Sequence, residues 1–237
     1  MSGLLYNLGK MFGPQVRKAR WMWESMAGDE ADAIRLERQV GRDLASGVRQ
    51  QLKLDPDPQI AQLLNEVGSR LSGCVANKLR SFGFEALEGG PPNAFALPGG
   101  YIFVTRSLVE LCERNPDEVA FILGHEMSHV IRGHTMDRIV TNSAIALGSR
   151  FIPVRGAISG LLSKVGTDLL VSAYSQDLEM EADKLGVLLV DAAGYNPKAA
   201  AVMLSRLAKL SPMGADSNFG HYFSSHPAIN IRIKNIG

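Results

Sequence analysis

Apolar side chains recur every four residues between Asp29 and Leu54, and this spacing predicts a long amphipathic helix. The apolar positions of this helix are Leu36, Val40, Leu44, Val48 and Leu52. Two prolines then interrupt the pattern, and Asp57 followed by Pro58 is typical of the cap and first residue of a second helix. The second set of apolar positions is Ile60, Leu63, Leu64, Val67 and Leu71.

Three short segments after the second helix have the pattern of strands. Residues 82–87 alternate between apolar and polar side chains. Residues 93–97 and 101–105 flank a Pro-Gly-Gly sequence, which predicts two strands joined by a tight turn.

A further helix is expected to begin at Asn115, because asparagine is a good N-cap and Pro116 suits the first helical position. Glu118 is able to reach back to the cap as in a capping box. Gly133, with His134, is expected to end this helix.

The stretch from residue 135 to residue 173 is apolar but interrupted by charges. The charged residues that break its apolar runs are Arg150, Arg155, Lys164 and Asp168. No uncharged run therefore approaches the roughly 20 residues that span a bilayer. Helices packed in the core or against a partner are predicted, and the glycines between them indicate mobile connections suited to a lid.

Composition and charge exclude some classes of protein. The chain has 237 residues, 46% hydrophobic and 21% charged, which is ordinary for a globular protein able to bury a sizeable core. A net charge of +1 gives no electrostatic basis for binding nucleic acid. Cys74 and Cys112 are isolated, so buried free thiols are expected in place of a disulfide or a cysteine metal site.

The N-terminal segment, residues 1–28, is basic and aromatic and lacks the pattern of a secretory signal. Its residues 10–23 mix four basic side chains with two tryptophans. Two interpretations stay open: peripheral contact with a membrane surface, or tryptophans that dock on the domain. Since no signal peptide or transmembrane helix is recognisable, a cytoplasmic location is expected, with or without such contact.

The strongest chemical signal is the sequence His125-Glu126-Met127-Ser128-His129. On a helix, residues four apart leave the same face, so the two imidazoles can converge on one metal ion. Glu126 points about 100° away around the helix, which suits a general base better than a ligand. Two surface histidines on an amphipathic helix are the competing interpretation, and a third ligand would decide between them.

A carboxylate fifty residues later completes the predicted site. Glu179 and Asp183 are one helical turn apart on a common face. Glu179 is suited to be the third ligand, and Asp183 can take the free ring N–H of a ligand histidine. Glu181 points about 200° away from Glu179 and is not expected to share its target.

Four stretches resemble the zinc metallopeptidases of the HtpX, BepA and CAAX-prenyl-endopeptidase family, metallopeptidase family forty-eight, which are HExxH gluzincins. They are Asn93 to Ala96 with Pro98-Gly99-Gly100, His125 to His129 with His134, Glu179 to Asp183 with Gly186, and His226-Pro227 with Arg232-Ile233. The resemblance covers residues 93 to 233. It departs from the family at Ser175-Gln176, where an arginine often follows the serine.

The resemblance implies one Zn²⁺ per chain, bound by His125, His129 and Glu179. It also implies that Glu126 is the catalytic glutamate and that Asp183 is the partner of a ligand histidine. In such a site, Glu126 would take a proton from a water on the zinc as it attacks the peptide carbonyl and later pass that proton to the leaving amine.

The resemblance also singles out His226, for which three roles stay open. It could donate a hydrogen bond to the developing oxyanion, act as a fourth zinc ligand that holds the resting enzyme inactive, or simply cap a helix on the surface. His134 and His221 are interpreted as supporting or packing residues.

Asn93, Ala94, Phe95 and Ala96 are the candidate substrate-binding residues. An exposed strand here could pair its backbone with an extended peptide, and a buried sheet edge is the alternative interpretation.

The sequence thus predicts an α+β, mostly helical, zincin-like fold with a small sheet over the HExxH helix. Residues 29–237 are expected to form a single domain after the segment 1–28. The expected function is zinc-dependent cleavage of extended or misfolded polypeptides. The alternatives are a chaperone-like peptide-binding module with a latent or structural zinc site, and a membrane-surface scaffold formed by residues 10–23 and 135–173.

Overall fold

The computed structural model of the protein describes residues 29–146, 173–210, 226 and 229–236. The predictions for residues 1–28, most of the apolar stretch, and His221 concern residues outside this part. Eight helices and three strands are described, consistent with the predicted α+β class, which is confirmed. The elements are α1 (Glu30–Gln51), α2 (Pro58–Gly73), β1 (Gly83–Leu87), β2 (Ala94–Leu97), β3 (Tyr101–Thr105), α3 (Arg106–Leu111), α4 (Pro116–Ile131), α5 (His134–Ala146), α6 (Gln176–Ala192), α7 (Ala199–Leu210) and α8 (Ile229–Ile236).

The first two helices begin where their capping residues predict. The Asp29 side chain accepts a hydrogen bond from the backbone N–H of Asp32, and the Asp57 side chain accepts one from the N–H of Gln59. Pro58 occupies the first turn of α2, where a missing N–H costs nothing. Both helical predictions are therefore confirmed.

The three strands form a mixed sheet with the order β1-β3-β2. Strand β1 runs parallel to β3, whereas β2 is antiparallel to it. The predicted pair of strands around Pro98-Gly99-Gly100 is confirmed. Gly99 and Gly100 both adopt positive φ, and a side chain at Gly100 would meet the carbonyl oxygen of Ser81 at 2.1 Å. The turn therefore requires glycine.

Strand β2 lies at one edge of this sheet, and of the two alternatives, exposed or buried, its residues are buried. Ala94 and Ala96 pack into the main core around α4. Phe95 and Leu97 pack into a second cluster with side chains of α1 and α5. Both faces of β2 are covered, so all four of its residues are buried.

Helix α4 lies at the centre of the fold, and every residue from Glu118 to Val130 is buried. Asn115 caps it through the N–H groups of residues 117 and 118, as predicted. The proposed capping box is wrong, because the carboxylate of Glu118 lies 2.9 Å from Nε of Arg206 while the Asn115 N–H donates to the Cys112 carbonyl. Gly133, with a φ of 79°, lies just after the end of α4, and His134 is the first residue of α5.

Two glycines allow α4 and α6 to approach closely. A Cβ atom at Gly186 would lie 3.0 Å from the backbone nitrogen of His125, and one at Gly124 would lie 3.1 Å from the carbonyl oxygen of Gly186. This contact brings the backbone of α6 against the turn of α4 that carries the first motif histidine. None of the helices in the described ranges is long and apolar enough to cross a membrane.

We predict that Gly186→Val lowers the free energy of unfolding by about 1–3 kcal/mol, because its side chain would force α4 and α6 apart. Denaturant unfolding measures this change. Gly73→Val is the matched control, since Gly73 is exposed and a Cβ there meets nothing within 4 Å. Equal stabilities of the two variants would contradict the importance of the close approach.

Candidate metal centre and active site

The motif histidines project from the same face of α4 and converge. Nε2 of His125 and Nε2 of His129 are 3.1 Å apart, and both side chains are buried. This convergence follows from the four-residue spacing on a regular helix. The histidine pair is thus part of the protein interior, and the interpretation as two surface histidines is wrong.

Glu179 reaches the two histidines from the first turn of α6. Its Oε1 lies 3.3 Å from Nε2 of His129, and its Oε2 lies 3.6 Å from Nε2 of His125. Ser175 is the N-cap of α6 and accepts a hydrogen bond from the N–H of Leu178. The cap and the close approach of α4 and α6 together bring the carboxylate to the imidazoles.

The donor atoms fit the requirements of a zinc ion. Ligand atoms of His125, His129, Glu179 and His226 all lie within 4.8 Å of one another. Bonds of 2.0–2.1 Å in a tetrahedral site place ligand atoms about 3.3 Å apart, close to the separations above. Two imidazoles and a carboxylate are also a donor set that catalytic zinc accepts. The cluster therefore suits zinc in both spacing and chemistry.

Asp183 and Arg232 lie on the Nδ1 side of the His125 ring. Oδ1 of Asp183 lies 2.9 Å from Nδ1 of His125 and can accept its ring proton, which leaves Nε2 free to bind a metal. Arg232 donates to both oxygens of Asp183 at 2.6 and 2.7 Å, and its third nitrogen lies 2.8 Å from Oε2 of Glu179. A fully buried guanidinium thus compensates two buried carboxylates.

Glu126 and His226 lie next to each other in the site. Nε2 of His226 lies 3.4 Å from Oε1 of Glu126, and its Nδ1 lies 3.0 Å from Oε1 of Glu179. Both side chains are 1% exposed. His226 therefore contacts the predicted base with one nitrogen and a predicted ligand with the other. Its burial excludes the interpretation as a surface capping residue.

His129 is enclosed by two further side chains. The ring of Tyr174 stacks on it at a centroid distance of 3.9 Å, and Nδ1 of His134 lies 3.1 Å from its Nδ1. The guanidinium of Arg138 lies over the Tyr174 ring, 4.5 Å from its centroid. Arg138 also donates to the carbonyl of Ala96 at 3.3 Å. Tyr174 and Arg138 thus connect the metal centre with strand β2.

Burial and charge shift the pKa values of the site residues in different directions. Burial holds the pKa of His129 well below its usual value, and Glu179 offsets only part of this effect. Burial also lowers the pKa of His134, to about 4, so this imidazole is neutral near pH 7. The pKa of Glu179 is well below its usual value, because His226 and His125 outweigh the effect of burial. A neutral His129 and an ionised Glu179 are the forms that bind metal.

Comparison with known families decides the classification. The sequence model of peptidase family M48 matches residues 57–237, which is most of the chain. The chain belongs to peptidase family M48. The resemblance deduced from the four motifs is therefore confirmed. All residues of the candidate site lie within the matched part.

Several characterised M48 relatives are similar to this chain. It is 32% identical to the mitochondrial metalloendopeptidase OMA1 of Schizosaccharomyces pombe over 150 residues, 61% of this chain and 42% of the relative. It is 32% identical to OMA1 of Arabidopsis thaliana over 162 residues, 68% of this chain and 32% of that protein. The metalloprotease LoiP of Escherichia coli is 29% identical over 187 residues, 75% and 68% of the two chains. The chain thus spans less than half the length of the OMA1 proteins.

The structure brings together every residue of the predicted catalytic and metal-binding groups. Glu181 lies apart from them, as expected, with its carboxylate 3.1 Å from Arg132 and 3.6 Å from His134. No role for Arg232 was predicted, although it is part of the fourth motif, and no pattern in the sequence indicated Tyr174 or Arg138. Their contributions depend on tertiary contacts that no local spacing encodes.

We predict that Arg232→Met lowers the free energy of unfolding by about 3–5 kcal/mol, because two buried carboxylates lose their counter-charge. Urea unfolding of the metal-free protein measures this effect. Arg35→Met is the matched control, since its ion pair with Asp32 is largely exposed and should contribute less than about 1 kcal/mol. A loss for Arg232→Met as small as that of the control would contradict the assignment.

Proposed function

We propose that this M48 chain is a zinc-dependent endopeptidase that cleaves extended or misfolded polypeptide segments. The observation that carries the proposal is the convergence of His125, His129 and Glu179 with Glu126 beside them in one buried cluster. A structural zinc site needs no carboxylate next to its ligands, whereas hydrolysis needs a base. Relatives named metalloendopeptidase and metalloprotease support the same reaction.

Zinc in this site would supply a Lewis acid that polarises the scissile carbonyl and acidifies water. The remaining chemistry belongs to the side chains. Glu126 accepts a proton from the attacking water and delivers it to the leaving amine. Asp183 holds the ring proton of His125 on Nδ1, so that Nε2 is available as a ligand. Arg232 helps His125 to keep Asp183 ionised against its burial, and it also forms an ion pair with Glu179.

His226 is suited to two roles at this site. Its Nε2 lies beside Glu126, where it could donate to the oxyanion that forms on the substrate. Its Nδ1 belongs to the group of potential metal ligands, so it could also bind the metal and hold the resting enzyme inactive. Both roles require the buried position that His226 has beside Glu179.

The backbone of β2 is the proposed platform for the substrate. The Thr105 N–H donates to the carbonyl of Asn93, so the alternation of an antiparallel pair directs the polar groups of Ala94 and Ala96 away from β3. The contact of Arg138 with the Ala96 carbonyl supports this assignment. Because the residues of β2 are buried, an extended peptide could add to this edge only after the side chains that cover it, Arg138 among them, have moved. Pairing of this kind depends mainly on the peptide backbone and favours unfolded segments.

Residues 29–237 are proposed to act as one catalytic domain, with residues 1–28 outside it. The basic and aromatic composition of residues 10–23 supports peripheral contact with a membrane surface. The names of the relatives, which include a β-barrel assembly-enhancing protease, support a role in protein quality control.

We predict one zinc per chain in the wild-type protein and in Glu126→Gln, because Glu126 is not a ligand. Mass spectrometry measures the zinc content. Casein cleavage should fall about 10²–10⁴-fold in the variant, since only the base is lost. Asp177→Asn is the control, because this carboxylate is exposed on α6 outside the cluster. Undiminished cleavage by Glu126→Gln would contradict the mechanism. Zinc without cleavage in the wild type would favour the peptide-binding module.

We predict that Ala96→Pro lowers kcat/KM for extended peptides about tenfold, the equivalent of one lost backbone hydrogen bond. Its N–H faces away from β3, so proline there breaks no bond of the sheet. Peptides methylated at single backbone nitrogens provide a matched control in the substrate. Methylation should block cleavage at every second position along the segment that pairs with β2. The absence of any alternation would show that this edge is not the platform.

A further inference from the structure

The group next to Nδ1 of His129 differs from the group next to Nδ1 of His125, and the proposed reaction gives no role to this difference. His125 is supported by a buried carboxylate, Asp183, that is itself paired with Arg232. The Nδ1 atom of His129 instead contacts another imidazole, that of His134. The two ligand histidines are thus supported by groups of different charge.

The position of His134 depends on the turn that follows α4. Residues five apart on a continuous helix do not share a face, so His134 could not reach back to His129 along an unbroken α4. Gly133 interrupts the helix with φ 79°, while a Cβ there would meet nothing within 4 Å. The glycine is therefore required for backbone conformation and not for space. It directs His134 beneath His129, where it is 4% exposed.

The distances determine which ring nitrogen carries a proton in the metal-bound form. Nε2 of His129 faces His125 and Glu179, so it is the nitrogen available to a metal and the ring proton belongs on Nδ1. A hydrogen bond over 3.1 Å to Nδ1 of His134 then requires that this second nitrogen is bare. The proton of His134 consequently belongs on Nε2.

The second nitrogen of His134 faces a carboxylate, at a distance that allows an electrostatic contact but exceeds that of a hydrogen bond. Oε2 of Glu181 lies 3.6 Å from Nε2 of His134, and Oε1 of Glu181 lies 3.1 Å from Nε of Arg132. Glu181 and Arg132 are partly exposed, at 44% and 48% of their side chains. A line of polar contacts therefore runs from the buried ligand to an ion pair at the protein surface.

We propose that His134, oriented by Glu181, is a positioning residue that fixes the tautomer and ring orientation of His129 for metal binding. Because the support is an imidazole and not a carboxylate, it holds His129 without adding negative charge to the metal centre. A zinc ion held by two imidazoles and one carboxylate would keep the net positive charge that activates water and carbonyl groups. This inference rests on the zinc site of the proposed function.

Zinc affinity of the full chain, measured by competition with a chromophoric chelator, tests the proposal. His134→Phe keeps an aromatic ring but removes the acceptor, and we expect a 10–100-fold loss of affinity. His134→Asn can place an amide oxygen near the position of Nδ1 and should remain within a few fold of the wild type. Glu181→Gln should weaken binding less than His134→Phe does. Asp177→Asn also removes a charge from α6, but its side chain lies outside the site. This variant should not weaken zinc binding.

Absorption spectra of the Co²⁺-loaded proteins provide a second readout, because they report the geometry of the ligands. We expect a changed spectrum for His134→Phe and a wild-type spectrum for His134→Asn. Thermal unfolding of the metal-free forms separates a loss of folding from a loss of ligand orientation. If His134→Phe does not fold, a zinc affinity of Glu181→Gln equal to that of Asp177→Asn overturns the proposal as a whole, and a lower affinity of Glu181→Gln supports it.

Equal affinities of the phenylalanine and asparagine variants would overturn the proposal, whether both match the wild type or both are weakened alike. Equal affinities of Glu181→Gln and Asp177→Asn would overturn the role of Glu181. A wild-type protein that binds no zinc would instead overturn the proposed function itself. The two failures are thus distinguishable in one experiment.

Discussion

The close approach of α4 and α6 is the constraint on which the rest of the site depends. Gly124 and Gly186 allow the two backbones to come into contact where larger residues would hold them apart. Each helix alone presents only part of a ligand set: two imidazoles on one and carboxylates on the other. Their contact converts two locally ordinary helices into a single buried cluster of donors.

Charge compensation is the second requirement of this arrangement. Glu179 and Asp183 are both buried, and two uncompensated carboxylates in the interior would strongly destabilise the fold. Arg232 provides the fixed positive charge, and its planar donors match both oxygens of Asp183. It also contacts Glu179, so one guanidinium stabilises a proposed metal ligand, Glu179, and the carboxylate beside another, His125. The pKa of Asp183 is accordingly lowered, since His125 and Arg232 outweigh its burial.

Local features of the chain were sufficient to predict much of this structure. The caps at Asp57 and Asn115 and the glycine turn before β3 act within a few residues, so their consequences can be read from sequence. The ligand pair follows from helical spacing, and the family motifs identify Glu179. The burial of β2 could not be predicted, because α1 and α5 cover it from distant parts of the chain. The contacts of Arg232 and Tyr174 escaped prediction for the same reason.

The position of Arg232 in the sequence has a consequence for the order in which the protein matures. Arg232 and His125 are 107 residues apart, and Asp183 lies between them. During synthesis, α4 and α6 leave the ribosome before α8, so the two carboxylates exist for a time without their counter-charge. Arg232 therefore compensates the charges of Glu179 and Asp183 only once α8 has docked. The candidate metal centre lacks this support while α8 is still emerging from the ribosome.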